Sequence, residues 1–94
     1  MIPKRMKSQQ PIFTRRLGKD PSTLPELADH KCSALFNCPD IWELSDGDFA
    51  VIGLRKTKEL KQLLPESAYC GPEEEIVIVP RVIFTLAKQD IPDK

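Results

Sequence analysis

The alternation of apolar and polar side chains is clearest in the middle of the chain. Two runs rich in apolar residues, 41–44 and 49–54, flank residues 45–48, of sequence Ser-Asp-Gly-Asp. Asp-Gly between two such runs is a strong hairpin signal, because both residues tolerate the positive φ that a tight turn requires. The pattern therefore predicts a β-hairpin over residues 41–54. Trp42, the largest apolar side chain of this hairpin, is expected to be largely buried.

A short helix is predicted directly after the hairpin. Leu60, Leu63 and Leu64 recur at the i, i+3 and i+4 spacing of one helical face. Thr57 can cap the helix at its N-terminus, and the proline that follows Leu64 ends it. We therefore predict a helix over residues 57–64.

The last third of the chain predicts a third strand and a second helix. Residues 75–79 read Glu-Ile-Val-Ile-Val and precede Pro80, which stops a strand and suits the first turn of a helix. Residues 81–88 are then predicted to be helical, although their β-branched and aromatic side chains also fit a strand. The expected fold class is α+β: a small antiparallel sheet, formed by the hairpin and strand 75–79, with one or two short helices.

The first 30 residues show neither a helical nor a strand period. They contain four prolines, and Ile12, Phe13 and Leu17 are the side chains expected to anchor them. We therefore divide the chain into an N-terminal arm, residues 1–30, which is expected to be mobile, and a single α+β domain, residues 31–94.

Charge is divided unevenly between these two parts. The arm carries six basic and three acidic residues, a formal charge of +3, whereas the rest carries eight basic and eleven acidic residues, a formal charge of −3. A basic arm can contact nucleic acid or an acidic partner, or it can simply keep the chain in solution. A second basic group could bind phosphates weakly and in a salt-sensitive way, or be a solvated helix face. Its members are Arg55, Lys56, Lys58 and Lys61.

Composition narrows the class of protein. The chain of 94 residues is 40% hydrophobic and 30% charged, which is ordinary for one globular domain. No apolar run approaches the ~20 residues that a membrane span needs. Three cysteines, an odd number, are awkward for a secreted disulfide scaffold. We therefore expect a cytoplasmic protein with no membrane partner.

Two stretches of the chain carry a resemblance. Residues 38–53, CPDIWELSDGDFAVIG, and residues 76–81, IVIVPR, resemble a group of short uncharacterised bacterial proteins that are often encoded near helix-turn-helix regulators. The resemblance covers residues 38–92 and leaves out the basic arm. It implies no known activity and no catalytic residues, and it points only to a regulatory or accessory role.

One imidazole and three thiols form the sharpest candidate for a metal site. They are His30, Cys32, Cys38 and Cys70, and four such ligands are enough for tetrahedral zinc. Their spacing matches no common zinc finger or ribbon, and a cysteine is often simply a small buried hydrophobic residue. The sequence therefore predicts no metal or other cofactor, with a zinc-stabilised binding protein as the alternative. A disulfide between Cys32 and Cys38 is a further alternative.

The residue types and their spacing give little indication of a catalytic site. A cysteine or serine nucleophile needs a base, and the single histidine, His30, lies in the arm. Carboxylates around the hairpin, Asp40, Glu43, Asp46 and Asp48, could bind Mg²⁺ or transfer protons, but tight turns use aspartates in any case. No phosphate-binding glycine motif occurs in the sequence. We predict that the protein is not an enzyme, and a small enzyme using these carboxylates is the second alternative.

The function that remains is a non-enzymatic interaction or regulatory module with an unknown protein partner. Residues 76–79 are apolar at every position, so both faces of this strand need cover. A small domain often obtains such cover by forming a two-fold dimer, although the arm or loops could supply it within one chain. We expect a homodimer whose interface includes Ile76, Ile78, Val82 and Phe84.

Overall fold

The computed structural model describes residues 10–25, residue 27 and residues 38–93. These residues form short strands and helices in an α+β arrangement, as predicted. The strands are β1 (Phe13–Arg16), β2 (Asp40–Leu44), β3 (Phe49–Ile52), β4 (Leu54–Arg55) and β5 (Val77–Ile78). The α-helices are α1 (Thr57–Leu60) and α2 (Arg81–Ala87), and each continues into a 3₁₀ turn, at Lys61–Leu63 and Lys88–Asp90.

The predicted hairpin is present as β2 and β3, which pair antiparallel. Its turn places Gly47 at a φ of +94°, which explains the glycine at this position. The Leu44 N–H donates to the Asp48 carbonyl oxygen at 2.8 Å, and the Gly47 N–H donates to the Leu44 carbonyl oxygen at 3.0 Å. The Asp46 side chain accepts from the Asp48 N–H at 3.0 Å, so the turn uses the aspartates as expected.

The pairing of the third predicted strand differs from the expectation. Val77–Ile78 pairs with Leu54–Arg55 in a separate two-stranded sheet and does not extend the hairpin. The physical reason lies at Gly53, because a Cβ there would come within 2.6 Å of the Ile78 carbonyl oxygen. This close approach needs glycine, and it ends β3 at Ile52 instead of at residue 54.

The third strand of the main sheet comes from the predicted arm. The strand order is β1-β2-β3, and β1 pairs antiparallel with β2. Leu17, directly after β1, is only 2% exposed, and Leu24 and Leu27 are also buried. The predicted domain boundary at residue 30 is therefore revised, because residues 13–25 and Leu27 supply a strand and part of the core. The mobility expected for residues 1–9 concerns a segment that lies outside the described residues.

The core lies between the main sheet and α2. Its buried members are Leu17, Leu24, Leu27, Ile41, Ile83 and Ala87. Two of them, Ile83 and Ala87, are four residues apart and therefore share one face of α2. This spacing explains why residues 81–87 form a helix and not the alternative strand.

The helix predicted over residues 57–64 is also present, but Thr57 has a different role. The N-cap position belongs to Lys56, and Thr57 is the first helical residue. Its hydroxyl oxygen accepts a hydrogen bond from the Ile76 N–H at 2.8 Å, and its hydroxyl donates to the Glu75 carboxylate. Thr57 therefore ties α1 to the segment before β5 and does not cap its own helix.

Candidate interaction surface

The four residues predicted to form an interface have different environments. Ile78 is 45% exposed and Phe84 is 49% exposed, whereas Ile76 and Val82 are half-buried. Val82 packs against the core cluster, and so does Val79. Part of the apolar surface expected to face a second subunit is therefore covered within the chain.

Strand β3 forms an edge of the main sheet within the part of the chain that the structure describes. Phe49 is 43% exposed, Val51 is 42% exposed and Ile52 is 48% exposed, and Ala50 is half-buried. All four residues are uncharged, and three of them favour extended backbone. The sequence predicted this strand but gave no sign that it lies at an edge.

The backbone N–H and C=O groups of successive β3 residues point alternately toward β2 and toward the open edge. The Leu44 N–H donates to the Asp48 carbonyl oxygen, so the even-numbered residues of β2 hydrogen-bond to β3. In the register of this pair, Ala50 lies opposite Trp42 and Ile52 lies opposite Asp40. The N–H and C=O groups of Phe49 and Val51 therefore point away from β2 toward the open edge.

The two outer strands of the main sheet differ in how their edges are protected. Strand β1 carries two arginines, Arg15 and Arg16, and has an irregularity at Thr14 that breaks its register with β2. Charged side chains and bulges are the usual means by which proteins keep an edge from pairing with another chain. Strand β3 has no charged residue and no proline, so it lacks this protection.

The segments that flank β3 carry opposite charges. Asp46 and Asp48 precede the strand, and Arg55 and Lys56 follow it. The Arg55 side chain is 80% exposed, and its Nε lies 3.9 Å from the nearer Glu75 carboxylate oxygen. An ion pair this long and this exposed contributes little to stability, so Arg55 stays available for another acidic group.

An arginine connects β1 to β2 on the face of the sheet opposite the core. Both carboxylate oxygens of Asp40 accept from Arg16 Nε at 3.0 Å, and Arg16 Nη2 lies 3.0 Å from Asp40 Oδ2. These hydrogen bonds raise the pKa of the Arg16 guanidinium above its usual value, and burial acts in the opposite direction. The guanidinium also lies 4.7 Å from the centre of the Trp42 ring, a cation–π contact.

Trp42 is half-buried, and the expectation that it would be largely buried is corrected. The buried apolar residue of β2 is Ile41, whose side chain points to the other face of the sheet because successive residues alternate. The core and α2 cover that face. On its own face, Trp42 contacts Arg16 and meets the edge of Phe13 at a centroid distance of 5.7 Å.

The hairpin carboxylates have structural partners. Asp40 pairs with Arg16, and Glu43 accepts from Arg15 Nε at 2.8 Å. Among the residues that the structure covers, no three His, Cys, Asp or Glu side chains gather closely enough to hold a metal ion. Asp40 and Glu43 therefore hold β1 against β2, and this geometry gives no support to the small-enzyme alternative.

The candidate zinc ligands fall partly outside the described residues. His30 and Cys32 belong to the segment that is not described, and Cys38 is half-buried at the start of the described range 38–93. Cys70 is buried in the loop before β5, with its Sγ 3.5 Å from the Glu74 carbonyl oxygen. Cys38 and Cys70 are the two candidate ligands that the structure describes, and the zinc alternative stays a prediction.

A shallow depression of about 400 Å³ lies beside the same loop. Leu64, Tyr69, Cys70 and Ile76 line it together with two glutamates. In the described ranges, every buried side-chain nitrogen or oxygen has a hydrogen-bond partner, so this depression contains no buried polar atom without one. The depression therefore gives no reason to assign a small-molecule site.

Comparison of the chain with protein-family models, with curated proteins and with solved structures finds no match in any of the three. The resemblance noted from the sequence stays a prediction. Within the residues described, no helix is long and apolar enough to cross a membrane.

Proposed function

We propose that this protein is a small non-enzymatic interaction module that binds an extended segment of polypeptide along β3. The observation that carries the proposal is the edge of β3, which presents exposed apolar side chains and outward-pointing backbone groups without protective charges. The cytoplasm is the proposed location, because an odd number of cysteines is suited to a reducing compartment.

Backbone geometry supports binding by strand addition. The N–H and C=O groups of Phe49 and Val51 are oriented to hydrogen-bond to a neighbouring strand, as happens when a peptide extends a sheet. Side chains of the added strand would lie beside Phe49 and Val51 on one face and beside Ala50 and Ile52 on the other. Main-chain bonds would supply affinity, and these two small apolar surfaces would select apolar residues.

Amide hydrogen exchange tests this proposal directly. The probe is a capped peptide of alternating threonine and valine with a lysine at each end, added at millimolar concentration to sub-micromolar protein. We expect slower exchange over Phe49–Ile52, because a bound strand protects the outward amides. Unchanged exchange over β3 in monomeric protein, at the highest soluble peptide concentration, would exclude strand addition at this edge.

A matched pair of variants distinguishes peptide binding through backbone hydrogen bonds from nonspecific apolar binding. Val51→Pro removes the outward N–H and leaves the bonds of Ala50 and Ile52 to β2 in place, and proline is tolerated on an edge strand. Val51→Thr keeps the N–H and the β-branched shape. We expect the peptide to protect Val51→Thr but not Val51→Pro, and equal protection of the two would contradict the proposal.

A further inference from the structure

We propose, building on the interaction function proposed above, that the segment bound along β3 is β3 of a second copy of this chain. The two strands run antiparallel about a two-fold axis. The two three-stranded sheets then become one sheet of six strands, and the unprotected edge of each copy is covered by the other.

The alternation of hydrogen-bonding groups along β3 limits which residues of the two copies can lie opposite each other. In an antiparallel pair, residues whose backbone groups point at the partner strand must lie opposite each other. Phe49 and Val51 are those residues in β3. Of the registers that this rule allows, the one that pairs both of them within β3 places Phe49 of each copy opposite Val51 of the other, with the axis at Ala50. A two-fold arrangement of this kind closes on itself and leaves no β3 edge for a third copy.

Charge complementarity selects a second copy as the occupant. Antiparallel pairing places the start of each β3 beside the end of the other. The acidic turn, with Asp46 and Asp48, then approaches the basic segment of the partner copy, with Arg55 and Lys56. The symmetry repeats this contact at both ends of the new pair, whereas a parallel arrangement would place like charges together.

The mass in solution is the first test, measured by light scattering under reducing conditions. We expect a dimer of twice 10.7 kDa at micromolar concentration for the wild type and for Val51→Thr. Val51→Pro removes one outward N–H from each copy and should raise the dissociation constant roughly tenfold or more. A dimer that Val51→Pro leaves intact would place the second copy on another surface and overturn the inference.

A charge-reversal cycle is the second test. Asp46→Lys and Arg55→Glu should each weaken the dimer several-fold, and the double variant should recover most of the loss, because this register places residue 46 of one copy beside residue 55 of the other and the reversed charges again attract each other. Strictly additive losses in the double variant would contradict the charge pairing. Trp42 fluorescence serves as the control that each variant remains folded.

The outcomes distinguish the two proposals. One outcome is a wild-type protein that stays at 10.7 kDa on concentration while the threonine–valine peptide slows amide exchange over β3. This result would contradict the second-copy inference and support strand binding. A monomer that the peptide does not protect would overturn both.

Discussion

At the scale of single residues, Arg16 carries more interactions than its position near the N-terminus suggests. It lies opposite Trp42 in the register of β1 and β2, binds both oxygens of Asp40 and stacks on the indole ring. Asp40 is only 6% exposed, and a carboxylate this deeply buried is costly without a partner. Arg16 therefore compensates the one charge that β2 buries.

Removal of this side chain should destabilise the fold. Arg16→Ala leaves Asp40 buried without its cation and removes the cation–π contact, and we expect a loss of about 2–3 kcal/mol in the free energy of unfolding. The figure lies below that of a fully buried pair because the Arg16 side chain is 31% exposed. Arg16→Lys keeps the charge without the bidentate geometry and should cost less. Urea unfolding followed by Trp42 fluorescence measures both, and wild-type stability in Arg16→Ala would refute this role.

At the scale of elements, local pattern predicts the hairpin, the strand before Pro80 and both helices, but neither strand β1 nor the strand pairing beyond the hairpin. The hairpin and both helices lie where periodicity and turn residues place them. Strand pairing depends on contacts that sequence period does not report, such as the approach of Gly53 to Ile78 that directs β5 to β4. Strand β1 has no alternating apolar pattern, and its pairing signal is ionic, because Arg15 and Arg16 meet Glu43 and Asp40.

The sequence does not reveal the candidate surface at the β3 edge for the same reason. An apolar strand of sequence Phe-Ala-Val-Ile predicts burial by its composition, and only the order of strands in the sheet shows that one edge is open. In the opposite sense, the sequence predicts Val82 at an interface, whereas the structure packs it against the core because α2 turns that side toward the main sheet.

A substitution at Gly53 tests the pairing of β4 with β5. In Gly53→Ala, the new Cβ would meet the Ile78 carbonyl oxygen at 2.6 Å and a Val79 methyl at 2.9 Å, so the backbone must shift. We expect a loss of about 1–3 kcal/mol and faster amide exchange at Lys56, whose N–H donates to the Ile76 carbonyl oxygen. Gly71→Ala is the control, because its nearest contact is 3.4 Å, and it should stay within about 0.5 kcal/mol. Equal losses in the two variants would argue against close packing at Gly53.

At the scale of the whole molecule, residues near the two ends of the described chain are hydrogen-bonded to each other. Arg15 Nη2 donates to the Asp90 carbonyl oxygen at 2.6 Å, and the Gly18 N–H donates to the Asp90 carboxylate at 2.7 Å. Gly18 adopts a φ of +85°, and a Cβ there would lie 3.1 Å from the Ala87 nitrogen, so the chain approaches the end of α2 closely. Residues 15–18 are therefore bound within their own chain and need no second copy to hold them.

This arrangement predicts how trypsin attacks the folded protein. The bonds after Arg15 and Arg16 lie in or next to β1, and cleavage there requires the strand to leave β2, so we expect them to resist the protease while the protein is folded. Leu17→Ala removes a side chain that is 2% exposed and should cost about 2–4 kcal/mol, which loosens β1 and accelerates cleavage at both arginines. Leu63→Ala is the matched control, because Leu63 is 71% exposed and its loss should leave cleavage unchanged. Mass spectrometry of the early fragments reads out the result, and rapid cutting after Arg15 or Arg16 in the wild type would show that β1 leaves the sheet readily.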